Sequence, residues 1–361
     1  METRKPIKII NGTAPIRVCD LGGWTDTWFA KHGRVFNIGV YPYVEVQIMV
    51  YPRESQPDRV VLVAENFGDK YVVPLDHANG KWINDKHQLL EAAIQFMGVP
   101  EKYAVRISIF SEAPSGCSTG TSAAVSVALI GALSRLTPKA LTNHEVAEVA
   151  HHIETEILGQ QSGIQDKLCS AYGGVNLIDM HQYPHASVSP VQMPNAEWWE
   201  VERRLCLVYL GRPHTSSAIH ERVIADLEGG SDLSEKKIDN LRQTALLARD
   251  ALGGTRVDFE GFGRAMILNN EYQRALHPYL ICAEADQIFD VAKRFGALGW
   301  KVNGAGGEGG SVTILCNGDM PGKREMVRAI EGLTPEGDYR FRQVPIYLSR
   351  YGLRVWSVGP K

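Results

Sequence analysis

The run Glu112-Ala113-Pro114-Ser115-Gly116-Cys117-Ser118-Thr119-Gly120-Thr121-Ser122-Ala123-Ala124 constrains this chain more than any other stretch. It follows an alternating pattern (Val105, Ile107, Ile109) that reads as a strand, and it leads into an apolar helical run from Val125 to Leu133. A strand, a loop of small residues and a helix, in that order, leave free backbone N–H groups at the positive end of a helix dipole. Phosphate binds at such a terminus. Seven of the residues from Ser115 to Ser122 are Gly, Ser or Thr. Gly116 and Gly120 let the backbone approach an anion closely, and Ser118, Thr119, Thr121 and Ser122 add hydroxyls. The plain alternative is a strand-to-helix turn with hydroxyl caps. The density of small residues favours phosphate.

The loop is not of the Walker type. No lysine follows Gly120, and GxxxxGK[ST] occurs nowhere in the chain. The HRD and DFG triplets of protein kinases are missing too. A chain of 361 residues suffices for two domains sharing one cleft. Its net charge of −3 gives no general pull toward nucleic acid or acidic membranes. No apolar stretch approaches the ~20 residues a spanning helix needs, and Met1 to Pro6 lacks the apolar core of a secretion signal. The six cysteines form no CxxC pair, which points to free buried thiols in a reducing cytosol and gives no support to zinc. The expectation is a cytoplasmic protein with neither a nucleic-acid nor a membrane partner.

Three further motifs carry polar groups that a fold must explain. Ala14 to Thr27 reads APIRVCDLGGWTDT. A strand carrying Arg17 ends in a Gly-Gly turn that presents Trp24, Thr25 and Asp26. An aromatic face beside a carboxylate suits a sugar: the ring packs on C–H faces and the carboxylate accepts hydroxyls. An Asp capping a turn beside a core Trp is equally compatible. Glu154 lies partly against the apolar stripe of a helix over 142–158, whose start is a Thr142-x-x-Glu145 capping box. A carboxylate there needs a cation or donors, and a salt bridge at the core edge would supply one. Asp166, in Gly163-Ile164-Gln165-Asp166-Lys167, is either a helix cap or a proton acceptor. Lys301 to Gly310 reads KVNGAGGEGG, and Gly304 to Gly309 formally matches GxGxxG. A strand follows rather than a helix, so dinucleotide binding is rejected. A glycine-dense turn between strands fits close packing on a ligand or on the other glycine loop.

Elsewhere, strands are expected over 43–51 and 203–210, and a helix over 86–97. The second half reads as helices near 215–228, 233–252, 258–275 and 283–296. Strands follow near 298–302, 311–316, 339–347 and 353–358.

In this order the motifs APIRVCDLGGWTDT, PSGCSTGTSAA and KVNGAGGEGG resemble those of the GHMP kinases, a family that includes galactokinase, homoserine kinase, mevalonate kinase and phosphomevalonate kinase. The GGWTDT and GIQDKLCSAYGG stretches look most like the fucokinases and heptose phosphate kinases. The resemblance implies an α+β fold of two domains. The first (1–200) would be ribosomal-protein-S5-like and the second (201–361) ferredoxin-like, with the active site between them. It further implies ATP and Mg²⁺ as cofactors and a sugar or sugar phosphate as the acceptor, its anomeric hydroxyl favoured. Pro114, Ser115, Gly116, Cys117, Ser118, Thr119, Gly120, Thr121 and Ser122 would hold the ATP phosphates. Ser122 and Glu154 would ligate Mg²⁺, Asp166 would be the catalytic carboxylate and Arg17 its basic partner. Trp24, Thr25, Asp26, Gln165, Gly306 and Gly307 would meet the sugar. Arg212, His214 and Lys167 are basic candidates for a second phosphate, and a homodimer is a candidate assembly. The sequence departs from the family pattern at Ser118, where a glycine is usual, at Gly23 and Trp24, which replace the Glu-His pair of galactokinases, and at Glu308, which interrupts the third glycine run.

Overall fold

The structure, a computed structural model, describes residues 5–75, 82–137, 140–214, 218–229, 232–334 and 339–359. In chain order the first part runs β1 (Lys8–Leu21), β2 (Gly33–Pro52), β3 (Val60–Ala64), β4 (Asp69–Val72), α1 (Gln88–Met97), β5 (Tyr103–Ser111), α2 (Thr121–Ser134), α3 (Asn143–His152), α4 (Gln165–Tyr172), β6 (Val175–Gln182) and β7 (His185–Pro190). There follow α5 (Asn195–Arg204), β8 (Leu205–Tyr209), α6 (Ala218–Glu228), α7 (Asp232–Leu252), α8 (Phe259–Leu276), α9 (Ala283–Arg294), β9 (Gly299–Val302), β10 (Ser311–Leu315), α10 (Met320–Glu331), β11 (Arg342–Val344), β12 (Tyr347–Leu348) and β13 (Arg354–Val358).

The strand expected over 43–51 is the end of a far longer one. β2 pairs with β1 along its length, with β5 from Val44 to Pro52 and with β6 from Gly33 to Ile38. It is the backbone of a nine-stranded sheet. From Gly12 onward every β1 residue is buried, so both faces of that strand are covered. α2 packs on β1 and β2, and its residues from Ser126 to Ser134 are all buried. A helix with no wet face is a central element, which explains its continuous apolar sequence.

The second sheet has the order β11-β8-β10-β9 and is antiparallel throughout. With α9 and α10 it makes the β-α-β-β-α-β pattern of a ferredoxin-like unit. Cys206, Val208, Ile288, Phe289, Val312 and Ile314 belong to a core of its own.

Other expectations shift too, and the strand expected near 339–347 splits into β11 on the second sheet and β12 on the first. The helix expected over 142–158 keeps its capping box, Thr142 and Glu145 bonding reciprocally. It stays α-helical only to His152, and Ile153–Ile157 make one wider π turn. The strand expected from Arg203 starts at Leu205, because Glu200 holds Arg203 and Arg204 on the last turn of α5. The helix expected near 215–228 is seen from Ala218, and 215–217 lie outside the described residues. A division at residue 200 does not separate the two sheets cleanly either. β13 returns to pair with β1 and β12 with β2, while α7 and α8 pack on the first sheet. Local periodicity carries no information about which distant edge a strand joins.

Candidate active site

Two cavities meet where the units join. The first, about 500 Å³, is walled by the loop from Ser115 to Ser122. The second, about 470 Å³, is walled by Trp24 and Asp26, the 160–163 loop, and Glu221 and Ile224 of α6. Arg17, Asp166, His214, Gly304 and Ala305 line both.

The loop behaves as its composition requires. Gly116, Ser118 and Gly120 all have positive φ, at 66°, 57° and 69°. Ser118 therefore keeps the left-handed conformation natural to glycine, at a cost of roughly 1–2 kcal/mol. Its carbonyl accepts a hydrogen bond from Arg17 Nη1, and Arg17 N donates to Thr119 O at 2.9 Å. α2 starts after Gly120 with no side-chain cap, so its first N–H groups are available to an anion. Pro114 lies outside the cavity wall; the other eight loop residues line it. Beyond the loop, Phe67, Leu89, Leu90 and Ile109 give this cavity an apolar end that no motif announced.

Arg17 and Asp166 form a forked pair: Nε to Oδ1 at 2.8 Å and Nη2 to Oδ2 at 3.2 Å. Burial works against the Arg17 charge, but the Asp166 and Asp20 carboxylates outweigh it and hold its pKa above the ordinary value. Asp20, missed in the sequence, anchors this corner. It accepts Lys301 Nζ at 2.9 Å and Gly304 N at 3.0 Å, and Arg17 and Lys301 keep it ionised against its burial. The third glycine motif packs on the first, as a close-approach turn should. A Cβ on Gly304 would lie 3.2 Å from Ser118 Cβ, and one on Gly310 2.5 Å from Ser118 Oγ. Glu308 reaches outward to Arg212 at 3.4 Å. Gly306 and Gly307 stand behind the wall, against Leu280 O and the His220 ring, while Gly304 and Ala305 face the cavity.

Of the expected sugar-side residues, Trp24, Asp26 and Gln165 line the second cavity. Trp24 donates Nε1–H to Ala305 O at 3.2 Å and lies edge-on to His220. Asp26 is almost fully buried and accepts Gln165 N at 3.0 Å. Burial pushes its carboxyl up to about 6, with the Gln165 N–H pulling the other way. Gly163 must be glycine, since a Cβ there would sit 2.0 Å from Asp26 Oδ2. Thr25 is a strut instead: its hydroxyl spans Gly22 O and Arg34 O, and it lines neither of the two cavities.

The two expected metal ligands stand differently toward the cavities. Ser122 lines the first cavity. Glu154, on the π turn, pairs with the buried Lys167 and lines neither cavity. Burial would raise the Glu154 carboxyl, but Lys167 outweighs it and holds it below the usual range. That is the core-edge salt bridge weighed for Glu154 from the sequence. Ser122 offers one neutral oxygen, and the described residues contain no cluster of three or more metal-ligating acids, histidines or cysteines.

The candidate cations for a second phosphate are also spent. Arg212 bonds Glu284 and Glu308. Lys167 holds Glu154 and the Gly163 carbonyl. Burial, then the neighbouring His220, pushes His214 down to about 4, so it is neutral at pH 7. All six cysteines are free and buried. No helix among the described residues is long and apolar enough to cross a membrane.

A glycine-rich loop at a helix N-terminus facing an Asp–Arg pair is an arrangement compatible with phosphoryl transfer. Residues 87–174 match the GHMP kinases N terminal domain. Mevalonate kinase of Thermococcus onnurineus is 30% identical over 262 residues, 71% of this chain and 70% of that protein. D-glycero-alpha-D-manno-heptose 7-phosphate kinase of Campylobacter jejuni is 26% identical over 200 residues, 55% of this chain and 58% of the relative. The crystal structure of a D-glycero-D-manno-heptose 1-phosphate kinase from Bacteriodes thetaiotaomicron superposes with a TM-score of 0.72 at 21% identity, covering 97% of this chain and 100% of that one. The chain belongs to the GHMP kinase family.

Proposed function

We propose that this chain transfers the γ-phosphoryl group of ATP to a sugar hydroxyl, the anomeric one favoured, on a fucose-like or heptose 7-phosphate-like acceptor. The observation that carries the reading is that Arg17 and Asp166 line both cavities and form one ion pair at their junction. Phosphoryl transfer needs alignment and charge neutralisation more than covalent catalysis. The N–H groups at the start of α2, with Gly116 and Gly120, receive the phosphates. ATP enters as its Mg²⁺ complex, so the ion belongs to the substrate. Ser122 is the nearby side-chain oxygen, and Glu154 is a structural partner of Lys167. Asp166 accepts the hydroxyl proton or orients the hydroxyl, and Arg17 positions it through the forked ion pair and meets charge on the transferring group. Trp24, Asp26 and Gln165 meet the acceptor.

A second reading, a kinase of a non-sugar alcohol, draws on the Thermococcus mevalonate kinase. ADP release with L-fucose, D-glycero-D-manno-heptose 7-phosphate, galactose, arabinose, mannose, glucuronate, homoserine and mevalonate separates them. Turnover of a sugar supports the proposal. Turnover of homoserine or mevalonate alone replaces it with the second reading, and ATP binding without turnover of any acceptor marks a sensor rather than an enzyme.

A further inference from the structure

The charge balance of the second cavity selects among acceptors, given the phosphotransferase reading on which this inference rests. Four of its lining residues are acidic: Asp20, Asp26, Asp166 and Glu221. Among the described residues its one lining Lys or Arg is Arg17, and that guanidinium is already committed to Asp166 and the Ser118 carbonyl. Two buried cations behind the cavity are committed as well, and Lys31 and Arg222, close in sequence to lining residues, do not line it. Lys301 is fully buried on Asp20. Lys167 lies behind the Ser162–Gly163 wall, bonded to Glu154, the Ser162 hydroxyl and the Gly163 carbonyl. The two lining histidines add no positive charge at neutral pH, since burial lowers both. The undescribed residues beside His214, at positions 215–217, are Thr, Ser and Ser, so no cation can come from there.

A phosphate or carboxylate on the acceptor needs Arg, Lys or clustered N–H donors to replace its water. Here it would face carboxylates instead, and like charges brought together in a partly desolvated site repel strongly. What the wall does offer suits hydroxyls and C–H faces: the Asp26 and Asp166 oxygens, the Gln165 amide, and the rings of Trp24, Trp28 and Phe29. We infer that the acceptor of this chain is a neutral polyol, carrying neither a phosphate nor a carboxylate before the transfer.

The test pairs each neutral sugar with its charged counterpart: mannose with mannose 6-phosphate, galactose with galactose 6-phosphate and with galacturonate. Both ADP release and calorimetric binding in the presence of a non-hydrolysable ATP analogue are read. The neutral member should win by about 10²-fold or more in kcat/KM and in affinity, the scale of like-charge rejection. Glu221→Lys, on the exposed rim of α6, should narrow that gap about tenfold by giving the anion a partner. Preference for a phosphorylated or carboxylated member, or binding of neither, overturns the inference. Binding of the neutral sugar without phosphoryl transfer supports it while removing the kinase reading, so the two failures are told apart.

Discussion

The two cavities that share Asp166 are built in different ways. One wall of the first is a single contiguous stretch, Ser115 to Ser122, which offers backbone N–H groups and positive-φ turns. The second is assembled from the 20–29 turn, the 160–166 segment, His214, α6 and the Gly304-Ala305 turn, working through side chains. Backbone recognition of phosphate needs only small residues in sequence order. Side-chain recognition of an acceptor needs the fold to gather groups more than a hundred residues apart. The first cavity is thus general and legible, and the second is particular and hidden.

The largest expected effect falls on the residue the cavities share. Asp166→Asn removes the acceptor charge and keeps the shape, so kcat should fall about 10²-fold or more with nucleotide affinity retained. Single-turnover kinetics with nucleotide titration read this, and a near-normal kcat would reduce Asp166 to a helix-start residue. Next comes the buried pair of Glu154 and Lys167 behind the second cavity. Glu154→Gln strands a buried ammonium and should cost about 3 kcal/mol of stability, with the Mg²⁺ concentration for half-maximal rate unchanged. Ser122→Ala should do the reverse, raising the Mg²⁺ requirement with little change in melting temperature. A shifted Mg²⁺ titration in Glu154→Gln would put that carboxylate on the nucleotide side after all.

Asp26 sharpens the contrast through pH. Its carboxyl titrates near 6, above the ordinary Asp value, mainly because it is buried. A carboxyl raised by folding favours the native state below its ordinary pKa, and that contribution is lost as pH rises to about 6. Asp26→Asn should therefore stabilise the protein at pH 8, by up to roughly 3 kcal/mol from a two-unit shift, and change little at pH 4. The same variant should raise the acceptor KM about tenfold, the scale of a lost charged hydrogen bond, and leave the ATP KM alone. In the parent protein the acceptor KM should climb as pH falls through about 6. Equal changes in both KM values would break the division of labour between the cavities. The smallest effect is that of Trp24→Phe, which keeps the ring but drops the Nε1–H bond to Ala305 O. A neutral hydrogen bond is worth about 1 kcal/mol, so a several-fold rise in acceptor KM is expected, measured with nucleotide saturating.

The sequence alone determined the elements whose cause is local. The loop from Ser115 to Ser122, the capping box at Thr142 and the alternation in β5 each follow from neighbouring residues. The pairing of Asp166 with Arg17 was legible only through the order of three motifs that a family shares. Tertiary structure decided what depends on distant partners. It turned Thr25 into a strut, drew Gly306 and Gly307 behind the wall, gave Asp20 its two cations, and tied Glu154 to Lys167. It sent β13 back to the edge of β1. The reason is physical: a hydroxyl, carboxylate or strand edge must be satisfied, but many partners could satisfy it, and only the packed chain chooses one.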